Sequence, residues 1–403
     1  MCIEWIEPAL DNEMNQHKYS MDYTFNNSSV PNIFIDLIKD FYNKTKIEGN
    51  QQLIGLMAVR EDWKIFSRYV NILCEELKGL LISEDKLIKI NSPAIVVGDM
   101  QGNLIDLFTL EKTYFQGFPV TPYNLVFLGN YSGIGSYGVE MITYLFSLKL
   151  LLPNKVFLLR GTNEIKSKSR RILLSECLHK YGPDFGQKIF AVITEIFARL
   201  PFAVIIDENI FCCHSGIPKW NKLDKINQLG HDVFSVLKEA PIAYELLVNT
   251  PLGMDECLCS MVTTKESSGN SKSMKRSSLD SKSSKKMAHK KLGANLVIGV
   301  TGFTASEHSD FVNSCSYDHQ AFQNFMRSYN FQYLIRSHSL QTSNDDGFDL
   351  HYSNRCISIF SCSKPKSSRS TVAFVDGSNQ RIRLLSFERE TAIITPVESI
   401  IHK

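Results

Sequence analysis

Apolar residues recur along this chain with two different periods, and the changes of period divide it. From Pro31 onward, Ile33, Phe34, Leu37, Ile38 and Phe41 fall on one helical face. Ile65, Tyr69, Ile72, Leu73 and Leu77 form the stripe of a second helix over about 65–82. Short apolar runs at 94–97, 125–128 and 156–159 then read as strands, with helices near 103–114, 137–150 and 185–199. That alternation predicts an α/β core. After about 203 the apolar runs crowd together, at 203–206, 210–213, 333–336, 357–361, 371–375 and 382–387. The crowding predicts a second, more antiparallel sheet packed on the first. Residues 1–30 are polar and irregular and read as a tail, as do 391–403.

One stretch fits neither period. Residues 265–291 hold nine Lys/Arg, two acids and nine Ser, with almost nothing to bury. Burial cannot offset the ordering entropy of such a segment, so 263–292 is expected to be a disordered Lys/Ser-rich insertion. Its charge of +7 is hidden in a chain total of +2, which leaves about −5 on the rest. No global basic field for nucleic acid follows from that balance. No apolar run approaches the ~18 residues of a membrane span. Residues 1–7 lack the basic start of a signal peptide. Ten cysteines at irregular spacings make no zinc-type pairs and read as reduced thiols, so a cytoplasmic or nuclear location is expected.

Chemistry in open α/β sheets gathers at the carboxyl ends of strands. Five apolar runs here end in a conspicuous polar group: Gly98-Asp99, Gly129-Asn130, Arg160-Gly161-Thr162-Asn163, His214, and Arg336-Ser337-His338. One such end is commonplace and usually a turn. Five, two of them carrying His, are hard to assign to turns alone.

These segments, in order and with sensible gaps over about 32–390, resemble the metal-dependent serine/threonine phosphoprotein phosphatases of the protein phosphatase 1 type. Gly98-Asp99-Met100-Gln101-Gly102 aligns with the family's GD-x-HG, and Gly129-Asn130-Tyr131-Ser132-Gly133-Ile134-Gly135 with its GDYVDRG. Leu158-Leu159-Arg160-Gly161-Thr162-Asn163-Glu164 aligns with LLRGNHE, and His214-Ser215-Gly216-Ile217-Pro218 with HGGLSP. Arg336-Ser337-His338 aligns with RAH, and Ile359-Phe360-Ser361-Cys362-Ser363 with LFSAPNY. The resemblance implies the calcineurin-like metallophosphoesterase fold: two packed mixed β-sheets, a β-sandwich flanked by helices.

A two-metal phosphoesterase needs anionic and imidazole ligands to hold two dications that generate the nucleophile and clamp the phosphoryl group. Of the family's six ligand positions the chain keeps Asp99, His214 and His338, and carries Gln101, Asn130 and Thr162 at the others. Asn130 replaces the carboxylate that bridges both metals in the family. The family's general acid falls on Asn163, and losing such a group costs roughly 10²–10⁴ in rate. The Asp that orients that acid falls on Gly133, and the phosphate-clamping arginines fall on Ile134 and Ile298, where no guanidinium clamp is available. Lys364-Pro365-Lys366 stands where the family has a tyrosine. The resemblance with these departures implies a pseudophosphatase that binds no cofactor and acts by binding regulatory subunits or phosphoprotein clients. The alternative is an active or weakly active enzyme holding two divalent ions of the Mn/Fe/Zn class.

Each surviving feature has a plainer reading. Asp99, His214 and His338 can be hydrogen-bonded remnants, and Arg160 and Glu164 a structural ion pair. Gly133-Ile134-Gly135-Ser136-Tyr137-Gly138 is a literal GxGxxG, but four residues separate it from its strand and the next strand ends in Arg160, not an acid. It reads as a relaxed former catalytic loop. Cys212, Cys213, Cys257 and Cys259 read as core filler. Two partner surfaces are expected. Regulatory proteins would dock on a sheet edge formed by the strands near 357–361, 371–375 and 382–387. Acidic or phosphorylated clients would meet 265–291, where Ser277 and Ser278 follow Lys275-Arg276 as phosphorylation candidates.

Overall fold

The computed structural model describes residues 24–48, 60–115, 121–252, 301–306, 311–339, 346–363, 369–377 and 381–388. Fourteen strands lie among them. They are β1 (Leu87–Ile90), β2 (Ala94–Val97), β3 (Asn124–Phe127), β4 (Val156–Leu158), β5 (Ala203–Ile206), β6 (Ile210–Cys213), β7 (Thr250–Pro251), β8 (Phe303–Ala305), β9 (Cys315–Tyr317), β10 (Tyr333–Arg336), β11 (Phe348–His351), β12 (Cys356–Ile359), β13 (Arg369–Asp376) and β14 (Arg381–Glu388). The larger helices are α1 (Val30–Glu48), α2 (Arg60–Leu81), α3 (Leu104–Tyr114), α4 (Gly138–Leu151), α5 (Leu173–Phe197) and α6 (His319–Tyr329).

Alternation along the strands builds four layers. In β2, Ala94 and Val96 face the space between the sheets, while Ile95 and Val97 face the helices. In β6, Ile210 and Cys212 join the inter-sheet core, and Phe211 and Cys213 the opposite one. Successive side chains of a strand point to opposite faces, so runs apolar throughout belong to sheets covered on both sides. The inter-sheet core takes Val96, Val126 and Leu128 from one sheet and Val204, Ile335 and Ile357 from the other. Helices α1, α2, α4 and α5 cover the first sheet. Helix α6 and the Pro241–Val248 helix cover the second.

The two sheets do not divide the chain in sequence order as expected. One runs β14-β13-β2-β3-β4 and the other β1-β5-β6-β10-β12-β11. Both are mixed. The last two strands return to the first sheet, with Val372 opposite Val97, and β1 opens the second sheet ahead of β2. The expected docking edge is likewise corrected: β12 lies between β10 and β11, and β13 between β14 and β2. Only β14 of the three is an edge strand. Helix α5 starts earlier than expected and bends at Gly182 (φ 70°), followed by Pro183. The packed body also reaches into the expected tail, where the Thr24 hydroxyl donates to the Leu151 carbonyl. Among the described residues no helix is long and apolar enough to cross a membrane. The described cysteines, Cys74, Cys177, Cys212, Cys213, Cys315, Cys356 and Cys362, are all buried.

Candidate functional site

The polar strand ends converge where the two sheets meet. From the first sheet, β2 is followed by Asp99, β3 by Asn130 and β4 by Thr162 and Asn163; from the second, β6 is followed by His214 and β10 by Ser337 and His338. Asp99 bridges to Phe360, and the Gly98 amide donates to Ser361 Oγ, which ties the sheets together here. Gln101, Asn130 and His338 have φ of 53°, 55° and 74°. Left-handed conformations at non-glycine residues cost energy and cluster at functional sites.

Asp99 is the hub, fully buried. Its Oδ2 accepts from Gln101 Nε2 and from Asn130 Nδ2, each at 2.8 Å. Its Oδ1 accepts from the His338 amide at 3.3 Å and lies 2.7 Å from Ser337 Oγ, whose single proton is shared between Asp99 and the Ile359 carbonyl at 2.8 Å. A carboxylate offers about four lone-pair sites. Four neutral donor groups surround this one. The Asn130 amide is oriented by its surroundings: its Oδ1 accepts from the Asn163 amide at 2.8 Å and Thr162 Oγ1 at 3.1 Å. An N–H must therefore face Asp99, because only a donor satisfies the carboxylate.

The imidazoles form a second chain. His214 Nδ1 lies 2.8 Å from the Leu128 carbonyl and donates to it, which leaves Nε2 as acceptor. His338 Nδ1 lies 3.3 Å from that Nε2 and completes the chain as donor. The Thr162 hydroxyl stands 3.4 Å from both rings. Burial lowers the pKa of both histidines, with His338 held well below the ordinary range, so both are neutral.

Asn163 does not face an acid–base partner. Its side-chain amide donates to the Ser132 carbonyl at 2.7 Å and reaches Gln101 Oε1 at 3.5 Å. Gln101 also explains Gly133, because a Cβ there would lie 1.7 Å from Gln101 Oε1. The Gln101 side chain thus occupies the space that any side chain at residue 133 would need. The rest of the GxGxxG loop packs on the same segment: the Gly135 amide donates to the Gln101 carbonyl, and a Cβ at Gly135 would lie 2.5 Å from the Gly102 oxygen. Ile134, which the resemblance aligns with a clamp arginine, is 71% exposed.

The expected ion pair between Arg160 and Glu164 is corrected. Arg160 donates to the carbonyls of Val233 and Glu164, while the Glu164 carboxylate accepts the amides of Asn130, Tyr131 and Gly161. Spacing in a motif does not say where a long side chain turns, and three converging amides are the nearer partners. Burial nevertheless raises the Glu164 pKa to about 7. Ser337 is a member of the site that motif matching does not single out, although a serine between Arg336 and His338, where the family has alanine, is its signal. Ile298, Ser277, Ser278, Cys257, Cys259 and the run Lys364-Pro365-Lys366 lie outside the described residues.

This arrangement does not fit a bridged pair of dications. The side-chain amides of Gln101 and Asn130 point N–H groups at the Asp99 carboxylate, and a cation there would face their positive ends. No group of three or more His, Cys, Asp or Glu spaced to hold a metal ion occurs among the described residues.

A profile of calcineurin-like phosphoesterases matches residues 92–341. The serine/threonine-protein phosphatase PP2A-like PPG1 of Saccharomyces cerevisiae is 39% identical over 171 residues, 40% of this chain and 45% of that protein. A Schizosaccharomyces pombe relative is 36% identical over 156 residues, 38% of this chain and 49% of its own. The chain thus spans about half the length of the curated relatives it matches. A solved serine/threonine phosphatase from Saccharomyces cerevisiae with similarity to human phosphatase PP5 superposes with a TM-score of 0.60 at 18% identity. That match covers 87% of this chain and 96% of the other, and at that identity it speaks for the fold.

Proposed function

The chain belongs to the calcineurin-like phosphoesterase family, and we propose that within it this protein is a pseudophosphatase that acts by binding other proteins. The observation that carries the reading is the enclosure of Asp99 by Gln101, Asn130, Ser337 and His338. A carboxylate already enclosed by four neutral donors has little to offer a metal, and Asn163 and Ile134 supply neither proton nor phosphate clamp. In this reading regulatory proteins add along β14, which ends its sheet among the described residues, gaining main-chain hydrogen bonds that need no metal. The 263–292 insertion and Ser277 and Ser278 tune attraction to acidic clients.

One observation favours the other reading, a weakly active serine/threonine phosphatase. His214 is anchored through Nδ1–H on the Leu128 carbonyl, the orientation that a metal-bound imidazole needs. Hydrolysis of a phosphoserine peptide by purified protein, with and without added Mn²⁺, separates the two. The pseudophosphatase reading expects no release of phosphate above background. Turnover that Asp99→Asn abolishes would establish the enzyme instead.

A further inference from the structure

The segment Lys166–Arg171, sequence KSKSRR, is a six-residue helix that leaves the candidate site directly after Glu164. It carries four cations, and no carboxylate occurs from Ile165 to Ser175. Ser169 is buried, whereas Lys166, Ser167, Arg170 and Arg171 are exposed. At 100° per residue those four cover about 140° of one outer face. Lys168 is turned toward the site mouth, its Nζ 5.1 Å from the centre of the Phe311 ring, which lies 5.9 Å from the His338 ring.

Local physics disfavours this composition. Lys166 and Arg170 are like charges at i,i+4, and Lys168 and Arg171 at i,i+3, on a helix too short to absorb the repulsion. Lys166 also opens the helix, where the macrodipole favours an anion. Among the described residues, Lys166, Arg170 and Arg171 have no ion-pair partner. Sequences that break local rules commonly do so where function requires it.

We propose that the outer face of Lys166–Arg171 is a docking surface for an acidic peptide segment of a partner protein. The face is about 9 Å long, which suits two or three carboxylates rather than the phosphate ladder of a duplex. Its cations are spread around the helix and do not converge as a single phosphate would need. Apolar Phe311, half-buried beside Lys168, and exposed Val312 offer contact to a neighbouring apolar side chain of the same segment. The surface extends the binding reading of the chain but does not depend on it, since carboxylates would dock whether or not the centre hydrolyses phosphate.

The test is fluorescence anisotropy with the full chain and a labelled glutamate-rich peptide. Its glutamine analogue and a duplex DNA of similar charge are compared. The glutamate peptide should bind, and the combined Lys166→Ser, Arg170→Ser, Arg171→Ser variant should weaken it at least about tenfold. Raising salt from ~50 to ~300 mM should weaken the wild type and close that gap. Exposed Lys222→Ser, Lys225→Ser should leave affinity unchanged. The triple variant should melt no lower than wild type, since it relieves like-charge repulsion. Equal affinity of the triple variant, equal binding of the glutamine peptide, or tighter binding of the duplex through the same residues would overturn the proposal. Phosphate release assayed in the same samples bears only on the pseudophosphatase reading.

Discussion

Replacing Asn130 with Asp sets a second carboxylate beside Asp99 and should destabilise this protein. The Asn130 amide nitrogen lies 2.8 Å from Asp99 Oδ2, and both residues are buried. At an effective dielectric of about 20, two like charges about 4 Å apart repel by roughly 4 kcal/mol. The pair limits that cost by taking up a proton, so that the O–H of the new carboxyl donates where the amide did. Raising one carboxyl from about 4 to about 6 costs roughly 3 kcal/mol at neutral pH. A body of roughly 300 residues unfolds with about 0.6 kcal/mol/K of entropy, so the loss lowers the melting temperature by about 5 °C. The sign follows from linkage. A carboxyl whose folded pKa is raised gives full stability below its unfolded pKa and loses it as pH rises through the folded one. The variant should therefore approach wild type near pH 4 and fall behind increasingly toward pH 7. Mn²⁺ or Zn²⁺ should recover part of the loss in the variant and leave wild type unmoved. Differential scanning calorimetry from pH 4 to 8, with chelator and with metal, reads all of this. A variant as stable as wild type at pH 7 in chelator would show that residue 130 is not in dry contact with Asp99.

Gly133→Ala should cost about 1–3 kcal/mol by urea unfolding, because the new Cβ meets Gln101 Oε1 at 1.7 Å. In a Gln101→Ala background the same change should cost almost nothing, and additivity of the two would refute the packing argument. Glu164, raised to about 7, favours the fold below its unfolded pKa and loses that contribution as pH rises through 7. The melting temperature should therefore decline from pH 5 to 8, and Glu164→Gln should flatten that slope; an unchanged slope counts against the assignment. Restoring Gln101→His, Asn130→Asp, Thr162→Asn and Asn163→His together should rebuild metal binding, read by elemental analysis, before turnover. Family-level turnover with Ile134 and Ile298 still in place would contradict the need for the missing clamps.

Much of the fold is legible in the sequence because the strands are buried on both faces. Continuous apolar runs locate 94–97, 203–206, 210–213 and 333–336 to the residue. Strand β1 escapes a pattern reading because Lys86–Ile90 mixes charge with short apolar steps: Lys86 buries its ammonium against the carbonyls of Arg199 and His231. Helix α6 escapes it because its core face is only Ala321, Phe322, Phe325 and Met326 in a polar segment. Sheet membership is misjudged because strand pairing is not local, and nothing between 363 and 381 signals that β13 turns back to β2. At the site, motif order locates the converging residues, since each sits within a few residues of the carboxyl end of a recognisable strand. The fit of Gln101 into the space at Gly133 is not legible, because two departures 32 residues apart become one feature only when the loops are packed together.

Hydrogen bonds hold Asp99 where other members of the fold would hold metals, and elemental analysis tests this most directly. Protein is purified without chelator from Mn- and Zn-supplemented culture. Less than about one transition metal ion per chain is expected, with the same value for Asp99→Asn. Two ions per chain in wild type, lost in Asp99→Asn, would show instead that the centre is a working metal site.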